Sequence, residues 1–106
     1  MDQNAAVYEI RGSVRGRGGA PLAGARVVVW RQQIRTRQQL VAGDADNNGA
    51  YQLRYQIPGN TPSPLLLVVE ALSEYLDGPL FCALTEAQPS LEIDLALDKH
   101  LGEHLA

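Results

Sequence analysis

Large apolar side chains return at every second position in segment after segment of this chain, and that period leaves few folds open. Tyr8-Glu9-Ile10-Arg11-Gly12-Ser13-Val14 alternates apolar with polar, with Gly12 as a gap in the apolar row. Ala50 to Ile57 alternates cleanly and sets Tyr51, Leu53 and Tyr55 on one face, and Leu91 to Asp98 repeats the pattern. A period of two sends successive side chains to opposite faces of a strand. Ala25 to Trp30 is β-branched and rich in strand formers. Leu65 to Ala71 is a near-continuous apolar run, which fits a strand covered on both faces or nearly so. Leu40–Gly43 and Leu80–Leu84 are shorter candidates, and Arg31 to Gln39 is a polar loop or an extended hairpin arm. Turn residues separate these runs at Gly16–Pro21, Asp44–Gly49, Pro58–Pro64 and Asp77-Gly78. Only Lys99 to Ala106 admits a helix, and Gly102 weakens it. About seven short strands divided by turns predict a seven-stranded antiparallel Greek-key β-sandwich over residues 1–98, followed by a tail at 99–106. A closed barrel is the second choice.

The chain has 106 residues, enough for one domain with its own core. An apolar fraction of 45% with 20% charged residues excludes a disordered tail. The longest apolar run, Leu65 to Val69, is far short of a membrane span, and Met1 to Ala6 has no signal-peptide profile. Cys82 is the one cysteine, so an internal disulfide and a Cys-based zinc cage are excluded; it reads as a buried small hydrophobe. The net charge of -3 is unevenly spread: residues 1–60 hold eight Arg against four acids, and residues 61–106 hold Lys99 against eight. Such asymmetry either polarises the surface toward a partner or is mixed into a patchwork by folding. An isoelectric point near 5.2 and few aromatics speak against nucleic acid, and no basic amphipathic helix serves a membrane. The compartment stays open, an extracellular or delivered location among the choices.

Two motifs carry a family resemblance. Gly19-Ala20-Pro21-Leu22-Ala23-Gly24-Ala25-Arg26-Val27 resembles the opening of carboxypeptidase-regulatory-like domains, and Asp46-Asn47-Asn48-Gly49-Ala50-Tyr51 resembles their turn before a strand, with Ala45 where the pattern has Thr. The resemblance runs from about Val7 to Leu97 and implies the prealbumin-like (transthyretin-like) sandwich of seven strands in two sheets. Pro21 stiffens the approach to the second strand, Leu22 plugs the sandwich end, Gly24 permits a tight bend, and Gly49 supplies a positive φ. The stretch from Val29 to Tyr55 is also similar to versions of this domain in bacterial toxin-complex-like, surface and secretion-spike proteins. That likeness implies a docking or spacing module whose protein partner is a larger toxin or secretion-system component.

No catalytic residue, metal site or cofactor is expected. Asp44-Ala45-Asp46-Asn47-Asn48-Gly49 matches the first half of a calcium loop, but Tyr55 stands where the closing Glu belongs, and it lies on the apolar face of a strand. His100-Leu101-Gly102-Glu103-His104 spells an inverted zinc-protease signature, which Gly102 and the missing third ligand undermine. Some prealbumin-like proteins are hydrolases ending in Tyr-Arg-Gly-Ser, or iron dioxygenases with two His and two Tyr in the body. This chain ends Glu-His-Leu-Ala and has no His before position 100, so it reads as not an enzyme. Binding has better candidates. If Val27 and Val29 face the core, Val28 and Trp30 share the other face with Arg26, a hot-spot composition. Arg31, Arg35 and Arg37 extend that region with positive charge that suits an acidic partner, unless the Arg loop folds over Trp30. A carbohydrate-binding module of the same fold is the alternative, and it needs a flat aromatic platform.

Overall fold

The computed structural model describes residues 6–58, 61, 64–73, 78, 80–81 and 85–96. It is all-β, with two stacked sheets and one 3₁₀ turn at Arg17–Gly19. The strands are β1 (Ala6–Arg15), β2 (Arg26–Gln32), β3 (Arg37–Asp44), β4 (Ala50–Ile57), β5 (Leu66–Leu72), β6 (Leu80–Phe81), β7 (Thr85–Glu86), β8 (Ser90–Glu92) and β9 (Leu95–Ala96). The expected tail at 99–106, with the His-x-x-Glu-His motif, lies outside the described residues, as does Cys82.

In the first sheet β1 is central. It pairs antiparallel with β4 from Ala6↔Ile57 to Ser13↔Ala50. Its other edge takes β8 beside Glu9–Arg11 and β9 beside Val14–Arg15, both parallel. The antiparallel expectation therefore fails at β8 and β9. The alternating run expected over Leu91–Asp98 is also broken into two strands at Ile93-Asp94. Gly12 explains the break. A Cβ on Gly12 would stand 1.8 Å from the Ile93 carbonyl oxygen, so the backbone of Ile93 occupies the place of the missing side chain. Tyr51 Oη donates to that same oxygen at 2.5 Å, and the Asp94 carboxylate accepts from Ser13 N (2.9 Å) and Ser13 Oγ (3.1 Å). Glycine is the residue that lets one backbone approach another this closely.

The second sheet runs β3-β2-β5, with β6 and β7 side by side in sequence on the far edge of β5. Its inner face stacks Val27, Val29, Leu67, Val69 and Ala71 against Ile10, Val14, Tyr51, Leu53, Tyr55 and Ile57 of the first sheet, all buried. Val29 sits between Val41 and Val69 in register; burying a side chain of this size contributes about 1.5–3 kcal/mol. Leu22 is buried in the core cluster. Gly24 and Gly49 hold φ of +74° and +75°, which L side chains rarely adopt.

Candidate functional site

The second sheet turns its outer face outward as cross-strand rows. Arg26 stands between Asp44 and Leu72, Val28 between Ala42 and Glu70, and Trp30 between Gln39 and Val68. β5 is thus buried on one face and half-buried on the other. Four of the six sequence-predicted binding residues reach this outer face: Arg26, Val28, Trp30 and Arg37. Val28 is only 4% exposed, so it supports the face more than it offers contact. Trp30 is half-buried and already engaged. Its Nε1–H donates to Glu70 Oε1 at 3.0 Å, and the Arg37 guanidinium lies 5.8 Å from the ring centroid. A tryptophan held from both sides is stiff, and its polar end is spent inside the protein.

The other two lie elsewhere. Arg31 pairs with Leu67 on the opposite face, and Arg35 sits at the tip of the β2–β3 hairpin. The segment expected as a loop or arm is an arm. β2 and β3 pair out to Gln32↔Arg37, and the tip closes with Gln33 N–H donating to the Thr36 carbonyl (2.9 Å) and Thr36 Oγ1 to Gln33 Oε1 (3.0 Å). At that tip Ile34 is 99% exposed. Between the tip and Pro64-Leu66 lies an open recess of about 750 Å³. Ile34 was not among the expected residues. The signal for it was there: a lone apolar residue among polar ones in Arg31-Gln32-Gln33-Ile34-Arg35-Thr36-Arg37.

The first sheet carries a polar recess of about 520 Å³ over Arg11, Arg15, Asp46, Glu92 and Asp94. Two of its carboxylates, Asp46 and Asp94, serve the fold. Asp94 anchors Ser13, and Asp46 Oδ1 accepts from Asn48 N (2.8 Å) and Ala50 N (3.0 Å), closing its own turn. That turn was also the calcium-loop candidate, and its closing position, Tyr55, faces the core. Among the described residues no three His, Cys, Asp or Glu gather as metal ligands. Nearby, a hydrogen bond from Gln52, with Arg54 and Arg11 assisting, holds the Glu9 carboxyl below the usual carboxylate range against its own desolvation. Burial, with help from the neighbouring Tyr8, pushes the Tyr55 phenol up to about 12.

No family model matches the chain, and no curated protein matches it. Solved structures do. A 9R-lipoxygenase from Cyanothece PCC8801 aligns over 86% of this chain and 16% of its own, with a TM-score of 0.58 and 16% identity. The dioxygenase domain of a dioxygenase–carbohydrate-binding protein fusion from Streptomyces sp. SirexAA-E aligns over 87% and 79%, with a TM-score of 0.57 and 17% identity. Chlorocatechol 1,2-dioxygenase from Pseudomonas putida aligns over 89% and 61%, with a TM-score of 0.58 and 19% identity. The chain therefore spans 16% of the lipoxygenase and 61% of the chlorocatechol enzyme. At such identities the likeness defines a class of fold, a two-sheet β-sandwich.

That likeness corrects one expectation. From its ending and its lack of His before position 100 the chain reads as not an enzyme. Dioxygenases are built on this same sandwich, so the architecture is no argument against chemistry: an active site is grafted onto a fold by particular side chains. The iron set that the family resemblance brings with its dioxygenases needs two His and two Tyr. Both histidines lie outside the described residues, the Tyr51 hydroxyl is bound to Ile93, and Tyr55 points into the core. The described residues do not fit that metal.

Proposed function

We propose that this chain is a prealbumin-like Greek-key sandwich that docks or spaces a larger assembly, with the β2–β3 arm as its point of attachment. If β6 with β7 and β8 with β9 are each taken as one interrupted strand, nine strands become seven, which supports that fold reading. The single observation that carries the docking reading is Ile34, wholly exposed at the tip of an arm that holds Arg31, Arg35 and Arg37 and no acid. A large apolar side chain set outward on a strand-held tip fits a socket on another protein. Trp30, braced by Glu70 and Arg37, stiffens the base of the arm. The bacterial toxin-delivery, surface or secretion setting rests on the family resemblance of the Val29–Tyr55 stretch.

The test is co-expression with the proteins encoded beside it in its genome, read by co-elution in size exclusion. A complex that survives Gln38→Ala and is lost with Ile34→Asp supports the reading. A complex indifferent to Ile34→Asp overturns it, as does glycan-array binding that Trp30→Ala abolishes.

A further inference from the structure

We infer that the recess beside the arm tip takes an acidic peptide segment that also presents an apolar side chain. The inference rests on the docking reading and names the chemistry of the partner. The recess joins the exposed tip residue Ile34 to Pro64 and Leu66, which supply apolar surface, and Arg31 and Arg35 stand at its rim. None of its lining residues is acidic. Among the described residues the one ion pair is Arg54–Glu9, on the other sheet, so neither Arg31 nor Arg35 is neutralised in this way. Glu86 flanks Leu66 in register, yet it lies outside the recess lining.

Two guanidiniums beside an apolar surface match a carboxylate-bearing segment in charge, and a planar fork can grip a carboxylate through two parallel hydrogen bonds. Gln32 and Gln33 line the same wall, although the Gln32 amide is turned onto the Gln33 carbonyl at 2.8 Å. The recess is open, and its volume of about 750 Å³ leaves room for a few side chains laid along it.

Fluorescence anisotropy tests this with two labelled peptides, one alternating Glu and Leu and one alternating Lys and Leu. The Glu–Leu peptide is expected to bind, to weaken as salt rises, and to lose about tenfold or more in affinity with Arg31→Gln/Arg35→Gln. All these positions except Arg31 are exposed, and a thermal melt establishes that each variant is folded. Equal binding of both peptides, no binding of either, or affinity unchanged in the double variant overturns the inference. So does binding to phosphatidylcholine–phosphatidylserine vesicles in preference to the peptide. If the peptide fails while Ile34→Asp still breaks the co-eluting complex, the acidic-segment inference falls and the docking reading stands. If the peptide binds as stated while the complex ignores Ile34→Asp, the reverse holds.

Discussion

Replacing Gly12 with alanine sets a methyl group on a spot held by another residue's backbone. The added Cβ meets the Ile93 carbonyl oxygen at 1.8 Å and the Ile93 carbonyl carbon at 2.6 Å, and backbone yields less readily than the end of a flexible side chain. The Ile93-Asp94 crossing must then lift away from β1. Forcing extra volume into a packed site costs about 1–3 kcal/mol. Lifting Ile93 also breaks its hydrogen bond with the Tyr51 hydroxyl, and a lost hydrogen bond costs about 1 kcal/mol more. Gly12→Ala is therefore expected to lose about 2–4 kcal/mol, a large share of a single domain's total of about 5–15 kcal/mol. Urea unfolding followed by circular dichroism measures it. Because the two losses share Ile93, Tyr51→Phe should cost less in the Gly12→Ala background than in the wild type. A loss under about 0.5 kcal/mol for Gly12→Ala, within the range of ordinary surface substitutions, would refute the close-approach argument.

Other changes probe separate parts of the structure. The Tyr55 hydroxyl is buried without a hydrogen-bond partner among the described residues, so Tyr55→Phe is expected to raise stability by about 1 kcal/mol, and a clear loss in the same unfolding assay would reveal an acceptor. The same phenol gives a signature in base: it titrates near 10 when unfolded and near 12 when folded, so its share of stability is intact below pH 10 and disappears as pH rises from 10 to 12. The gap between wild type and Tyr55→Phe should widen over that window, and parallel curves would contradict the assignment. Glu9 acts with the opposite sense, its carboxyl favouring the fold above its ordinary value of 4.5 and ceasing to do so as pH falls; Gln52→Ala should flatten that acid limb. Asp46→Ala leaves the amides of Asn48 and Ala50 without their acceptor and is expected to cost about 1 kcal/mol, read by thermal melting.

The alternation of β4 told which side chains face inward, and Tyr51, Leu53, Tyr55 and Ile57 all do. The same period placed Val27 and Val29 inside and Val28 and Trp30 outside. Asn48-Gly49 named its turn, because few residues other than glycine accept a φ of +75° there. What periodicity could not tell was pairing across long separations. Nothing in the alternation announces that β8 and β9 lie parallel to β1, or that Ile93 separates them; Gly12, the gap in the first apolar row, was a trace of that crossing. The candidate site was legible as a basic, strand-flanked arm. Its division was only partly hidden: period two already sets Arg31 on the face opposite Trp30, whereas which β3 residue comes over Trp30 depends on a register shift between Val29 and Trp30 in the pairing with β3. Ile34 was passed over because its exposure is set by the length of the arm, which short-range patterns leave undetermined.

The most direct measurement is the hydrogen-exchange footprint of the chain in the complex it forms with its co-eluting partner. Slowed exchange confined to the arm, residues 31–37, and to neighbouring Leu66 is the result this account predicts. Slowed exchange over the polar recess of the first sheet, around Arg11 and Glu92, with the arm unchanged, would contradict it.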